Sequence, residues 1–153
     1  MKKQDFIKQY LPLAQKAGVQ FGMNPVIILA QSAIETGSGE STLCKEHNNF
    51  FGITAYGHPN PFWKGDRSDL SAVIGRPTLW FRRYASPEDS FLDFARLIHS
   101  AYPVAATLTF HPAAYAKEIA YSKYISEVNG DNRAAYQRML VSICRSIERL
   151  SVN

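Results

Sequence analysis

Hydrophobic positions recur along most of the chain at helical spacing, and one stretch departs from that pattern by being apolar nearly all round. In residues 4–21, Phe6, Ile7, Tyr10, Leu11, Ala14, Ala17 and Phe21 share one face, which predicts an amphipathic helix. Pro12 is expected to kink or break it, and Gly18 and Gly22 weaken its end. From Asn24 the pattern changes. Val26, Ile27, Ile28, Leu29, Ala30, Ala33 and Ile34 leave almost no polar face, and such a helix belongs inside a core. Asn24 is a good N-cap, Pro25 suits the first helical position, and Gly37 suits the residue just past the end.

Residues 38–49 read as loop or short helical turns. Residues 54–77 are rich in Gly and Pro, which predicts loop or a hairpin with turns near 57–61 and 75–77. Residues 78–84 have strand-like composition. Ser86 then caps a helix, with Pro87 at its first position, Asp89 in capping-box spacing, and Phe91, Phe94, Ala95 and Ile98 as its apolar stripe. Pro112 opens another helix, over 112–126, with Tyr115, Ile119 and Ala120 on one side. Gly130, Asp131 and Asn132 read as a turn. The last helix, about 133–150, turns Tyr136, Met139, Leu140, Ile143, Ile147 and Leu150 to the core.

Composition narrows the function classes. A chain of 153 residues can bury a sizeable core as one domain, spanning 1–153, and 46% hydrophobic against 20% charged residues argues against disorder. The net charge of +4 suits a polyanionic partner, or none. No Lys/Arg run interleaves with aromatics, so nucleic-acid binding is not expected. No segment reaches the roughly 18 apolar residues of a membrane span, and the N-terminal residues already read as a first helix, without an apolar leader. Cys44 and Cys144 show no metal-ligand spacing, so neither metal nor cofactor is expected. They could pair in an oxidising compartment or remain two thiols.

The candidate chemistry lies where the buried helix ends. Glu35 falls on its last turn, where burial and the helix dipole both disfavour an ionised carboxylate and raise its pKa. A carboxylic acid protonated near neutral pH is what general acid catalysis needs. The other reading is a surface Glu past a helix end, followed by a flexible Gly37-Ser38-Gly39 loop. Tyr56, Phe62, Trp63 and Trp80 could stack on sugar rings or pack a small lobe onto the helices.

The run Ala30-Gln31-Ser32-Ala33-Ile34-Glu35-Thr36-Gly37-Ser38-Gly39-Glu40-Ser41, followed by Asn48-Asn49-Phe50-Phe51-Gly52-Ile53, resembles the signature of glycoside hydrolase family 73. These bacterial endo-β-N-acetylglucosaminidases cut peptidoglycan glycan strands. The segment from Phe81 to Ser86, then Ser90 to Phe94, also resembles the family, so the likeness spans residues 24 to about 140. It implies a mainly α (α+β) fold, a lysozyme-like helical domain with a small β-hairpin lobe. It implies Glu35 as general acid. Asn49, Phe51, Trp63 and Tyr84 are the candidate substrate-binding residues; Asn48 and Asn49 could bind acetamido groups or form a turn that satisfies its own backbone. The family has a cleft tyrosine in a Gly-Tyr-Ala-Thr segment. Here the matching stretch reads Ala120-Tyr121-Ser122-Lys123-Tyr124, and Tyr121 and Tyr124 compete for that role.

Glycosidic cleavage usually needs a second carboxylate, which the family commonly supplies as a Glu in the hairpin. This chain has no Glu between Phe50 and Tyr84; its acids there are Asp66 and Asp69. Asp66 lies between Lys64 and Arg67, a setting for a surface ion pair, so Asp69 is the expected second group. The substrate's own 2-acetamido group is the alternative. Asp93 reads as structural. The expected function is therefore a peptidoglycan hydrolase, exported to act in the periplasm or cell wall. An antibacterial effector opposed by a cognate immunity protein over the groove would fit a chain without a visible signal sequence. A lysozyme-like muramidase or lytic transglycosylase, and a non-catalytic wall-binding module, are the alternatives.

Overall fold

The computed structural model describes residues 1–69, 80–125 and 130–151. Among these, seven helices and a two-stranded antiparallel sheet follow in the order α1 (Lys3–Phe21), α2 (Pro25–Thr36), α3 (Thr42–His47), β1 (Arg67–Asp69), β2 (Trp80–Arg82), α4 (Pro87–Ala101), α5 (Pro103–Thr107), α6 (Pro112–Ala120) and α7 (Gly130–Ser151). The helical domain with a small hairpin lobe is the architecture expected from the sequence.

Helix α2 is the centre. Ile27, Ile28, Leu29 and Ala30 are fully buried, and α1, α4 and α7 pack around them. Its ends are fixed chemically. Asn24 Oδ1 accepts from the Val26 N–H at 3.0 Å, and Gly37 closes the helix at φ 58°. Asn24 also ties α2 to the loop before α6. Its backbone N–H donates to Thr109 Oγ1 and its amide to the Thr109 carbonyl, both at 3.0 Å.

Four expectations are corrected. Helix α1 runs through Pro12 without a break. The proline ring is on the solvent face, while Phe6, Ile7, Ala14 and Ala17 anchor the helix in the core on either side. That burial outweighs a helix penalty of about 3 kcal/mol. Helix α6 ends at Ala120, short of 126, because the chain turns at Tyr121 and Ser122. Gly130 opens α7 rather than forming a turn. Met139 is 46% exposed, outside the buried stripe of Leu140, Cys144 and Ile147. The expected turn at 75–77 lies outside the described residues.

The hairpin lobe is wired to the helices by polar contacts. β1 and β2 pair Arg67 with Arg82, Ser68 with Phe81, and Asp69 with Trp80. On its other edge β2 meets the extended run after α3. Ala55 N–H donates to the Trp80 carbonyl and Arg82 N–H to the Ile53 carbonyl. Beneath the sheet, Asp93 of α4 is wholly buried and accepts from Arg82 at 2.8 Å, from Arg96 at 2.8 Å, from Asn60 at 3.0 Å, and from the Tyr84 hydroxyl. Burial by itself would raise the Asp93 pKa. The Tyr84 and Arg96 hydrogen bonds and the two guanidinium charges outweigh it and hold the carboxyl below its ordinary value. Cys44 and Cys144 are both buried and free.

Candidate active site

A groove of about 580 Å³ opens at the C-terminal end of α2, lined by Ile34 and Glu35, by Phe51–Thr54, by Leu97 and Tyr102, by Lys123–Ile125, and by Tyr136. Each wall has a local cause. Helix α2 ends at Gly37, so Glu35 occupies the last turn and projects at the lip. Gly52, at φ 65°, bends the chain past the acid and then into the extended run beside β2.

Glu35 is open to the solvent of the groove, where a buried side chain was expected. Water reaches it through the groove while protein crowds it elsewhere. That burial pushes its pKa from an ordinary 4.5 up to about 7. No cation stands within ion-pairing distance of it among the described residues. The acid is therefore substantially protonated at neutral pH, and an open proton donor at a groove lip can serve a leaving oxygen.

The rest of the groove is aromatic. Phe51 stacks on Phe94 with centroids 4.0 Å apart and planes 8° apart, Phe94 meets Tyr124 edge-on at 6.2 Å, and Tyr124 meets Tyr102 edge-on at 5.8 Å. The result is a continuous wall along one side. Burial raises the pKa of Tyr102, Tyr124 and Tyr136, so all three hydroxyls keep their protons at neutral pH. Such a surface, apolar with a few hydroxyls, suits a sugar ring.

Of the residues singled out from the sequence, Glu35, Phe51 and Tyr124 come together in this groove. Asn49, Trp63 and Tyr84 are buried and do not line it. Asn49 spends its whole amide internally: Nδ2 donates to the Ile53 and Arg82 carbonyls, and Oδ1 accepts from Phe51 N–H and Ile53 N–H. No atom of it is left for a ligand. Trp63 is 3% exposed, donates its indole N–H to the Asp66 carbonyl, and lies 4.0 Å under the Arg82 guanidinium. Tyr84 is 4% exposed and committed to Asp93. These three are therefore internal packing and hydrogen-bonding groups, outside the groove lining. Tyr121 is exposed beyond α6, outside the groove lining. Asp66 is exposed and lines a separate recess with Glu46, Arg67 and Arg83. Asp69 ends β1 opposite Trp80, and its side chain is outside the described residues. Tyr102, Tyr136, Gly52 and Lys123 were not singled out. For Gly52 the signal was there, as a glycine directly after a buried aromatic pair. For Tyr136 there was none, because helical periodicity put it on the core face. Among the described residues no three His, Cys, Asp or Glu side chains cluster to hold a metal ion.

Comparison with known proteins bears on the family and the fold. A family model described as Glucosaminidase, mannosyl-glycoprotein endo-beta-N-acetylglucosaminidase, matches residues 11–149. The peptidoglycan hydrolase FlgJ of Vibrio parahaemolyticus is 30% identical over 105 residues, covering 63% of this chain and 33% of that protein. The chain spans about a third of the length of the curated FlgJ proteins it matches. The glycoside hydrolase domain of Salmonella typhimurium FlgJ superposes with a TM-score of 0.75 at 24% identity, over 99% of this chain and 91% of that one. A type VI secretion system effector–immunity complex from Pseudomonas protegens contains a chain of the same fold. Its TM-score is 0.68 at 18% identity, over 95% of this chain and 92% of that one.

Proposed function

The chain belongs to the glucosaminidase family, glycoside hydrolase family 73, and from that premise we propose that it is a peptidoglycan hydrolase in which Glu35 is the general acid. It cuts the β-1,4 bond after N-acetylglucosamine, and residues 1–153 act as one catalytic domain. The observation that carries this reading is the place of Glu35 at the lip of an aromatic groove, where burial of the carboxyl lifts its pKa to about 7.

The glycan lies along the groove, with one sugar against Tyr102 and Tyr124, which Phe51 and Phe94 support from behind. Glu35 donates its proton to the glycosidic oxygen as the bond to the anomeric carbon breaks. Positive charge develops on the ring, and a carboxylate or the sugar's own acetamido oxygen stabilises it before water completes hydrolysis. Asp69 is the proposed carboxylate, brought by the hairpin.

Mass spectrometry of digested sacculi tests the reading. Reducing-end N-acetylglucosamine supports it. Reducing or anhydro N-acetylmuramic acid would instead mark a muramidase or a lytic transglycosylase, and no product a binding module.

The likeness to an effector–immunity complex favours one biological setting. The chain acts outside the cytoplasm, in the periplasm or cell wall, as an antibacterial effector, and an immunity protein covers the groove at Glu35 in the producing cell. Among the described residues no helix is long and apolar enough to cross a membrane. Expression directed to the periplasm should lyse cells, and cytoplasmic expression should be harmless. Intact cells in the periplasmic case would count against this setting.

A further inference from the structure

One polar side chain on the apolar helix α2 is unexplained by the chemistry above. Gln31 is wholly buried, one helical turn before Glu35 on the same face. A buried amide is kept only where its hydrogen bonds are made, and those of Gln31 have a direction. Its Oε1 accepts from the hydroxyl of Tyr115, a fully buried phenol. That contact turns the carbonyl inward and the amide NH₂ outward, where Nε2 donates to the Tyr136 oxygen at 3.2 Å. Burial keeps Tyr115 protonated, so the direction persists across the physiological pH range.

The consequence falls on Tyr136. Its oxygen is occupied as an acceptor, so its own proton must go elsewhere, and among the described residues it donates to nothing. Tyr136 lines the groove that holds Glu35. We infer that Gln31 is a positioning residue that fixes the Tyr136 hydroxyl as a hydrogen-bond donor into the groove, where it meets an acceptor oxygen of the sugar bound beside Glu35. This rests on the glycosidase reading of the site. It also gives α2 two linked tasks, since the same helix face presents the acid and orients the donor beside it. The acceptor is a carbonyl or hydroxyl oxygen of the sugar, because a cationic or purely donating group would be turned away by the outward proton.

Steady-state cleavage of soluble glycan oligomers by the purified chain tests this, with thermal unfolding run alongside. Tyr136→Phe removes the proton and keeps the ring. It should lose about tenfold in kcat/KM, the scale of one neutral hydrogen bond, with the pH at which activity declines unchanged and with a lower unfolding midpoint, because Gln31 Nε2 loses its acceptor. Gln31→Met removes the fixing amide, so the hydroxyl rotates freely and the loss should be smaller. The double variant Gln31→Met/Tyr136→Phe should be no slower than Tyr136→Phe alone, because Gln31 acts only through that hydroxyl. Wild-type kcat/KM in Tyr136→Phe, beside an active parent, overturns this inference alone. So does a double variant whose losses multiply. A parent that releases no reducing sugar overturns the glycosidase reading and this inference with it.

Discussion

Gly52 passes so close to Glu35 that a Cβ at position 52 would stand 3.4 Å from Glu35 Oε2. The backbone there is also left-handed, at φ 65°. Both facts bear on one substitution. Gly52→Ala should cost about 1–2 kcal/mol of stability from the left-handed conformation. The added methyl also takes solvent from the carboxyl, which raises its pKa further. The alkaline decline of activity should therefore move to higher pH. A pH–rate profile with an unmoved alkaline limb would show that the approach of Gly52 does not tune the acid.

Glu35→Gln keeps the shape of the side chain and cannot donate a proton. Turnover of peptidoglycan should drop by on the order of 10²-fold or more, the usual worth of a general acid. In the wild type, kcat/KM should fall as pH rises through about 7, where Glu35 loses its proton. Stability carries the same signature. The folded pKa of about 7 lies above the ordinary 4.5, so between those values the native state binds the proton more tightly than the unfolded chain. Stability thus declines as pH rises through that window and stays lower above it. Glu35→Gln should remove that slope and leave the variant more stable than wild type above pH 7. Near-wild-type digestion by the variant would refute the assignment of Glu35.

Asp93 gives the opposite dependence. Its folded pKa lies below the ordinary carboxylate value, so its contribution is complete above about pH 4 and is lost as pH falls through the folded value. Asp93→Asn leaves the Arg82 guanidinium, whose side chain is 8% exposed, without its buried counter-charge. Breaking such a pair costs about 3–5 kcal/mol. Urea unfolding at neutral pH should show that loss, and it should shrink in acid as the wild type protonates. Because Arg82 and Tyr84 bind the hairpin to α4 through this carboxylate, activity should fall with stability.

The sequence and the structure agree where a residue's role depends on its neighbours in the chain. The N-cap at Asn24, the stop at Gly37, the Ser86 cap and the position of Glu35 on the last turn of α2 are all of this kind. They disagree where a role depends on what a side chain meets across the fold. Asn49, Trp63 and Tyr84 have the chemistry of sugar-binding groups, yet each is consumed inside the fold: Asn49 and Trp63 meet Arg82, and Tyr84 meets Asp93. Pro12 was read by its local penalty, which the core on both sides of it overrides. Tyr136 was counted with the core because periodicity reports a helix face and not the edge of that face. On α7 that edge is where the groove begins.

For the second catalytic group the hairpin offers two acids with different surroundings. Asp66 is exposed in a recess shared with Arg67 and Arg83, and its carbonyl serves as an acceptor for the Trp63 indole and the Arg83 N–H. Those contacts use the backbone, so Asp66→Asn should leave both folding and turnover near wild type. Asp69 ends β1 on the far side of β2 from the groove-lining residues Ile53 and Thr54. Two strand spacings put its backbone roughly 10 Å from them, within reach of a second group acting across a sugar. Asp69→Asn should cut turnover on the order of 10²-fold while the thermal transition stays in place. Proton NMR of the newly formed anomeric centre then reads the geometry. Inversion follows if the two carboxyls stand about 6.5–9.5 Å apart with water between them, and retention if they stand about 5–5.5 Å apart. Full turnover in both variants, combined with retention, would transfer the role to the acetamido oxygen of the substrate. Glycans whose N-acetyl groups have been removed should then resist cleavage by the wild type.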